Sequence, residues 1–416
     1  MEFLVFSKPD NIGGLTKLIG NLITSVGAVW LGIIIFTVVL KLVTLIFDYY
    51  SRASMRRSSL KMKEMRPQLE KLQVQFKDNK ELYQQKVMAL YKKEGYSVFS
   101  SCLPTIITLV IFIVVLNNFQ NFSEYKNKYD IYSMAESYNS VVLDGFELED
   151  NDVLSIIEKN GKQKDLKVDV DKLNGNTGNV EFKQRTDGKW ELYTTKGYVK
   201  AIYSDDNCTT LEKYEVYENT NSSVYKDYLD TTGFDSFSAY LLDMQQQRAA
   251  DTYKEERESF LWVKNIWVQD RADKSPIQEY KDIKGLGDVL NNGEETYNKL
   301  TIKLKNQTEA ANGYYILVAL TILTTLLSQF ISMRANKDQM ELQTVDGQGA
   351  STQKMMLWMM PIMMAIFAFI YTAAFSLYII TSTVLSTITT IIINKIVDYR
   401  VYKSKDKEVI NIVRRG

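Results

Sequence analysis

Five long apolar stretches constrain the fold of this chain more than any other feature of its sequence. They cover residues 22–47, 103–116, 314–333, 355–371 and 373–396. The hydrocarbon core of a bilayer is about 30 Å thick, and about 20 helical residues cross it. Each stretch can cross, although the second and fourth are short and need their flanks. The sequence therefore predicts five transmembrane helices, even though only 45% of all residues are apolar.

The charges between the stretches predict which way these helices cross. Residues 52–94 hold twelve Lys or Arg against five acidic residues, and the segment after the last stretch is also basic. Residues 119–312 hold 25 Lys or Arg against 36 Asp or Glu. Loops rich in Lys and Arg stay in the cytoplasm. We therefore expect the hairpin and the C-terminus inside, and the acidic block and the N-terminus outside.

These patterns divide the chain into nine segments. They are an outer N-terminus with the first transmembrane helix (1–50), a cytoplasmic helical hairpin (51–99), the second transmembrane helix (100–118), an extracytoplasmic region (119–312) with a β-rich insertion at about 145–233, the third transmembrane helix (313–333), a cytoplasmic loop (334–354), the fourth (355–371) and fifth (372–397) transmembrane helices, and a basic cytoplasmic tail (398–416).

The predicted hairpin and the acidic block have different internal patterns. Between 51 and 95, apolar residues recur every three or four positions on either side of a break at 77–80, as in two packed amphipathic helices. Residues 145–233 are rich in Tyr, Val and Thr, and Thr186-Asp187-Gly188 between two strand-like runs indicates a β-hairpin. The fold class is thus an all-α membrane core with a cytoplasmic hairpin and an inserted extracytoplasmic β-rich domain on a helical stalk.

Lys41 lies inside the first apolar stretch, where a charge costs about 2.5 to 3.5 kcal/mol on insertion scales. Thr37, Thr44 and Asp48 share its helical face, because the spacings are four, three and four. One explanation is a water-filled functional cavity. The alternative is that the long lysine side chain snorkels to the headgroups, which are about 9 Å away. Snorkelling of Lys41 does not explain why Thr37 and Thr44 lie on the same helical face.

Three further stretches also carry polar stripes. For any one stripe alone, hydrogen bonding between helices is the favoured explanation. Taken together with Lys41, the stripes predict one hydrated groove that receives substrate. The predicted groove residues are Thr37, Lys41, Thr44, Thr105, Thr108, Thr325, Ser328, Gln329, Thr383 and Thr387.

The fourth stretch differs, because six methionines surround Pro361 and lead into Phe367 and Phe369. Flexible thioethers suit a surface that accepts varied apolar partners. Core filling is the alternative explanation of such a run. The predicted apolar slide for a substrate helix consists of Ile107, Ile111, Met360, Met364 and Phe367.

The composition excludes several classes of chemistry. The chain has no histidine and only two cysteines, Cys102 and Cys208, which we predict on opposite sides of the membrane. Histidine-dependent acid–base catalysis, catalytic triads and common zinc sites therefore have no basis here. The phosphate-binding and serine-nucleophile motifs do not occur either. We expect neither an enzyme nor a cofactor.

Several segments together resemble the YidC membrane insertases. They are TVVLKL from Thr37, KMKEMRPQLEKLQ in the hairpin, LYKKEGYSVFSSCLP ending at Pro104, FLWVKNIWVQD from Phe260, YYILVALTILTTLL from Tyr314, QKMMLWMMPIMMAIFAF from Gln353 and FSLYIITS from Phe375. The resemblance covers all five predicted helices and the hairpin. It leaves out the insertion of about 90 residues.

The sequence departs from that family at four sites. Lys41 stands where the family usually has arginine, and Thr108 where it often has glutamine. Ile379 replaces a frequent tryptophan, and Ser97-Val98 replaces the usual asparagine and proline. The positive charge at position 41 remains. Lysine lacks the two-pronged geometry of arginine, so it should capture a carboxylate with less geometric strictness.

The resemblance implies insertion and folding of nascent membrane proteins in a bacterial cell membrane, with Lys41 attracting acidic substrate tails. Nascent membrane proteins and lipids are the implied partners, with the ribosome and the Sec translocon as further candidates. The partner of the insertion is unknown. Two alternatives stay open: a scaffold for assembling one specific partner, and, less favoured, a transporter of small solutes. A transporter usually carries internal repeats, and the spans show none.

Overall fold

The computed structural model describes residues 2–95, 99–148, 153–158, 164–173, 179–335 and 348–413. Its helices are α1 Gly14–Thr24, α2 Val29–Gln75, α3 Lys80–Lys93, α4 Phe99–Asp144, α5 Val170–Leu173, α6 Ser223–Asp230, α7 Phe237–Glu256, α8 Gly293–Thr301, α9 Lys305–Thr308, α10 Ile316–Ala335, α11 Gln348–Ile370 and α12 Ala373–Val413. Its strands are β1 Leu154–Glu158, β2 Lys164–Val168, β3 Val180–Gln184, β4 Trp190–Thr194, β5 Val199–Tyr203 and β6 Leu211–Val216.

The expectation of a mostly helical chain with a small antiparallel β domain is confirmed. Within the described residues, three helices are long and apolar enough to cross a membrane: Val29–Gln75, Ile316–Arg334 and Ala373–Arg400. The apolar segment Pro361–Ile370 in α11 is shorter. The second apolar stretch of the sequence lies in the first half of α4.

The first apolar stretch is not one continuous helix. Helix α1 ends at Thr24 and α2 begins at Val29. Between them Gly27 has φ +76°, a left-handed conformation that glycine adopts at little cost. Helix α2 then continues for 47 residues, through Pro67, into the first arm of the predicted hairpin.

The second arm of this hairpin is α3. Asn79 begins it, and its side chain accepts a hydrogen bond from the backbone N–H of Leu82 at 3.0 Å, which satisfies one of the free donors at a helix start. Met62, Met65 and Leu69 of α2 form a small buried cluster with Leu90 of α3. The three-and-four spacing of these apolar residues is what lets the two arms pack.

The chain divides into two compact units. The first, which we call the β-containing unit, comprises Met1–Ile12, Ser123–Arg257 and Ser275–Ala311. The second, the apolar-helix unit, comprises Gly13–Phe122, Glu258–Lys274 and Asn312–Gly416.

The main sheet of the β-containing unit is an antiparallel meander in the order β3, β4, β5, β6. The predicted hairpin forms between β3 and β4, and Gly188 in its turn has φ +84°. In the two central strands, Leu192 of β4 and both Val199 and Ala201 of β5 are fully buried. They belong to one hydrophobic cluster with residues of α4 and α7, including Val142 and Leu241.

The N-terminal segment belongs to the same unit. Phe6 forms a β-bridge with Leu290, and the backbone of Leu4 both donates to and accepts from the side-chain amide of Asn139, at 2.8 Å each. Leu4 and Phe6 are both buried. Residues 2–7 are therefore fixed against segments from the acidic block.

In the apolar-helix unit, α12 packs on α2 and α10, and α10 packs on α11. The segment 258–274 fixes the helix ends. Asp270 is buried and accepts hydrogen bonds from the backbone N–H groups of Tyr314 (2.9 Å) and Leu317 (2.6 Å) at the start of α10. A carboxylate there satisfies free donors and interacts favourably with the helix dipole. The start of α12 is held by the N–H of Ala373, which donates to the carbonyl of Val268 at 2.9 Å.

Candidate functional site

A cavity of about 360 Å³ lies among α2, α4 and α12 in the apolar-helix unit. All three walls come from helices with long apolar stretches, yet most of the polar groups around the cavity are hydroxyls. Its lining residues are Thr37, Leu40, Lys41, Thr44, Phe47, Asp48, Tyr50, Ser51, Ser54, Ile107, Ile111, Phe112, Tyr378, Ser382 and Ser386.

Helix α2 supplies the polar wall. Thr37, Lys41, Thr44, Asp48 and Ser51 follow one another at spacings of four, three, four and three, which keeps them on one helical face. The hydroxyl of Thr37 donates to the carbonyl of Ile33 at 2.7 Å, and that of Thr44 to the carbonyl of Lys41 at 3.1 Å. Each hydroxyl oxygen also has lone pairs with which it can accept a hydrogen bond from water or substrate.

The two charged residues of this wall form an ion pair. The Nζ atom of Lys41 lies 2.5 Å from Oδ2 of Asp48, and the two side chains are 16% and 23% exposed. The pair links positions seven apart, so the lysine side chain extends along two helical turns toward the C-terminal end of α2. A partly buried ammonium needs such a partner, because an unpaired charge there would be costly.

The other two walls differ in polarity. Helix α12 contributes Tyr378, Ser382 and Ser386, which lie four residues apart on one face. Helix α4 contributes the apolar residues Ile107, Ile111 and Phe112. Ile107 and Ile111 are two of the residues predicted for the apolar slide, and the side chain of Ile107 is 41% exposed.

Of the predicted groove residues, Thr37, Lys41 and Thr44 lie together at the cavity. Thr325, Ser328, Gln329, Thr383 and Thr387 lie elsewhere on α10 and α12 in the part of the chain that the structure describes. The hydroxyl of Thr387 donates to Oγ of Ser328 at 2.7 Å, which joins α12 to α10. Thr325 donates to the carbonyl of Thr321 at 2.6 Å.

The remaining predicted residues fall on α4 and α11. The side chains of Thr105, Thr108 and Met360 lie outside the described residues. Met364 is buried, and the ring of Phe367 stacks on that of Phe112 with centroids 5.9 Å apart. Phe367 therefore contacts α4 directly beside the cavity.

The predicted groove residues did not include Asp48, Ser51, Ser54, Ser382 or Ser386, which also line the cavity. The signal for Asp48 and Ser51 was present, because they extend the spacing of the Lys41 face toward the end of α2. Ser382 and Ser386 are also four residues apart, but so are Thr383 and Thr387 directly beside them. Periodicity gives no basis for choosing between these two neighbouring stripes.

Beyond Asp48, polar contacts join α2 to α12. The guanidinium group of Arg52 donates to Oγ1 of Thr390 at 2.6 Å and to Oδ1 of Asn394 at 3.2 Å. Arg56 forms an ion pair with Asp398, in which Nε and Oδ1 are 2.8 Å apart. These contacts hold the C-terminal half of α2 against α12 at the end of the cavity.

The sequence profile of a family described as the 60Kd inner membrane protein matches residues 21–150 and 238–400, which are more than half of the chain. All six strands lie in the unmatched segment between these two ranges. The match thus covers the helices that line the cavity and leaves out the main sheet.

Individual relatives are similar over shorter segments. The membrane protein insertase YidC of Ruegeria sp. (strain TM1040) is 34% identical over 110 residues, which are 26% of this chain and 17% of the relative. That of Caulobacter vibrioides (strain NA1000 / CB15N) is 40% identical over 96 residues, 23% of this chain and 14% of the relative. That of Clostridium tetani (strain Massachusetts / E88) is 32% identical over 111 residues, 26% of this chain and 49% of the relative.

The aligned segments thus span less than half of these relatives' own lengths. No solved structure matches the chain at a significant level.

Proposed function

This chain belongs to the YidC family, the 60Kd inner membrane proteins, and we propose that it inserts nascent membrane proteins into the bacterial cell membrane and helps them fold. The observation that carries the proposal is the cavity among α2, α4 and α12. It brings hydroxyls and an ion pair together inside a unit built from apolar helices.

The cavity would act by lowering the cost of moving a polar tail across the membrane. A volume of about 360 Å³ has room for on the order of ten waters, and the lining hydroxyls give them partners. A tail that enters keeps hydrogen bonds that bare lipid cannot offer. This shortens the distance over which the tail must cross hydrocarbon without water.

Lys41 would attract acidic groups on that tail. The apolar wall of Ile107, Ile111 and Phe112, with Met364 and Phe367 behind it, would guide the apolar segment of the substrate toward lipid. Burial of that segment drives the reaction, and the membrane potential adds about 2.3 kcal/mol per charge per 100 mV. Neither source of energy requires a nucleotide.

We further propose five transmembrane helices, with the N-terminus outside and the C-terminus in the cytoplasm. The charge distribution supports this orientation. The contacts of residues 2–7 with Asn139 and Leu290 support placing the N-terminus on the same side as the acidic block. Nascent membrane proteins would be the substrates. The basic hairpin and tail suit contacts with ribosomal RNA or anionic lipids, and the Sec translocon is a further candidate partner.

The test is insertion of a small single-span protein with an acidic tail into liposomes that contain the purified chain. We expect insertion by the wild type, a loss of about tenfold with Lys41→Ala, and activity near that of the wild type with Lys41→Arg. Lys17→Ala is the matched control, because Lys17 is an exposed lysine of α1 in the same unit, away from the cavity lining. Absence of insertion by the wild type would contradict the proposal.

A scaffold for one specific partner remains the second candidate. The observation that favours it is the β-containing unit, which has its own hydrophobic core and whose sheet the family profile does not match. A scaffold predicts that this unit recovers one stoichiometric protein in a pull-down and that purified chain inserts nothing. An insertase predicts that the chain still inserts substrates after residues 145–233 are replaced by a short Gly/Ser linker.

A further inference from the structure

Lys41 is paired with Asp48, and the proposed function of the cavity does not require this pairing. Attraction of an acidic tail needs only the ammonium group. Yet Oδ2 of Asp48 lies 2.5 Å from that group, at the distance of a charge-assisted hydrogen bond. Among the described lining residues, Lys41 and Asp48 are the only charged ones, so the cavity contains one positive and one negative charge.

We propose that Asp48 is a specificity-determining residue that competes with acidic substrate tails for Lys41, so that the insertase selects tails by the number of their acidic groups. This inference rests on the proposed insertase function. A substrate carboxylate must take the place that the Asp48 carboxylate now holds. A tail with several acidic groups does so more readily than a tail with one.

The exchange is feasible because the ammonium group stays paired throughout. Removing the partner of a partly buried charge is costly, whereas replacing one carboxylate by another keeps the Coulomb attraction nearly constant. Asp48 is not left alone either. Arg52 lies one turn further along α2, close enough to interact electrostatically with Asp48. The displaced carboxylate thus retains a neighbouring positive charge.

The competition is also strong enough to matter. A partner on the same helix acts at a high effective concentration, commonly in the millimolar range or above. A tail with one carboxylate, held only by a weakly bound apolar segment, competes poorly against it. Each additional acidic group raises the local concentration of carboxylates and increases the chance that one of them holds Lys41.

The test compares Asp48→Asn with wild type in liposomes, using single-span substrates whose tails carry no, one or three acidic residues. Asparagine keeps the shape and a hydrogen-bonding oxygen but removes the competing charge. We expect insertion of the one-acid tail to rise about fivefold, and that of the three-acid tail to rise less than twofold. Asp48→Glu keeps a competing carboxylate and should behave like the wild type.

The matched control is Asp398→Asn. It removes the acidic member of a different ion pair, in which Asp398 of α12 pairs with Arg56 of α2 away from the cavity lining. Its insertion should match that of wild type for every tail. Circular dichroism and the yield of protein in the liposomes establish that each variant is folded.

Equal insertion of all three tails by Asp48→Asn and wild type would overturn the proposal. So would a uniform loss with folded Asp48→Asn, because that result assigns Asp48 a supporting role in the cavity. Both outcomes leave the insertase function intact, since the wild type still inserts. Failure of the wild type itself would instead contradict the proposed function.

Discussion

Two hydroxyl stripes follow α12 side by side, and they have different surroundings. Ser382 and Ser386 line the cavity, whereas Thr387, one residue further, donates to Ser328 of α10. Both stripes consist of hydroxyl residues four positions apart, serines in the first and threonines in the second. A hydroxyl in an apolar helix therefore faces a cavity only where no neighbouring helix covers it. Otherwise it joins two helices.

The same distinction separates the charged residues of this unit. Asp270 accepts hydrogen bonds from backbone N–H groups at the start of α10 and from the indole N–H of Trp262, while Asp48 pairs with a lysine that lines the cavity. Groups of the first kind contribute to folding. Groups of the second kind are the ones that we propose exchange with a substrate.

The largest effect on stability should come from Asp270→Ala. The substitution leaves the buried N–H of Leu317 and the part-buried N–H of Tyr314 without their acceptor, and losing the partner of a buried group costs about 1 to 3 kcal/mol. We expect the free energy of unfolding to fall by about 3 kcal/mol, measured by thermal denaturation in detergent. Asp273→Ala is the control, because Asp273 is half-exposed and pairs with Arg271, and it should cost less than about 1 kcal/mol. Equal losses of stability from both substitutions would contradict the role of Asp270 as the acceptor at the start of α10.

Filling the cavity should have the next largest effect, on activity rather than stability. Leucine in place of both Ser382 and Ser386 removes two hydroxyls and fills part of the cavity. We expect insertion to fall about tenfold, a change of about 1.4 kcal/mol in the barrier, while the melting temperature stays within a few degrees. Insertion of the same substrate in liposomes is the measurement. Unchanged insertion would contradict the functional role that we give to the cavity-lining stripe of Ser382 and Ser386.

Thr387→Val should lower stability and leave insertion nearly unchanged, and its effect should be smaller than that of filling the cavity. Valine keeps the shape of threonine but removes the bond to Ser328. Such bonds between membrane helices contribute about 0.6 to 1.7 kcal/mol. We expect the melting temperature to fall accordingly and insertion per folded molecule to stay within twofold. A tenfold loss of insertion would show that Thr387 has a functional role and would contradict its assignment as a contact between helices.

The smallest effect lies in the β-containing unit and depends on pH. Backbone N–H groups of Thr209 and Thr210 hold the pKa of the exposed Asp205 at about 2, below its usual 3.8. The contribution of this carboxylate to stability is therefore complete above its usual pKa and is lost as the pH falls toward 2. Asp205→Ala should thus destabilise the unit slightly at pH 6 and not at pH 2, as followed by hydrogen exchange of the sheet amides. A difference independent of pH would contradict this assignment.

The sequence predicted the helical class, the small β domain and the polar face of α2, because each depends on local periodicity or turn residues. Thr37, Lys41, Thr44 and Asp48 form one face whatever the neighbouring helices do. The hairpin at Gly188 is equally local, since a left-handed turn residue lies between two alternating runs.

The sequence could not choose between the stripes of α12. Adjacent residues of a helix point about 100° apart, and only the positions of α2 and α10 decide which direction is covered. The same applies to Ile107 and Ile111, whose apolar character fits lipid, substrate or a cavity wall equally well. The Lys41–Asp48 pair required a specific side-chain conformation across two turns, which spacing alone does not define.

The most direct test of the account uses a photoreactive amino acid at position 386 or at position 387, one residue apart on α12. A single-span substrate with an acidic tail is arrested during insertion, and crosslinks to the tail are mapped. The account predicts strong crosslinking of the polar tail from position 386 and little from position 387. Equal crosslinking from both, or a tail found only at position 387, would contradict the claim that the cavity among α2, α4 and α12 receives the substrate.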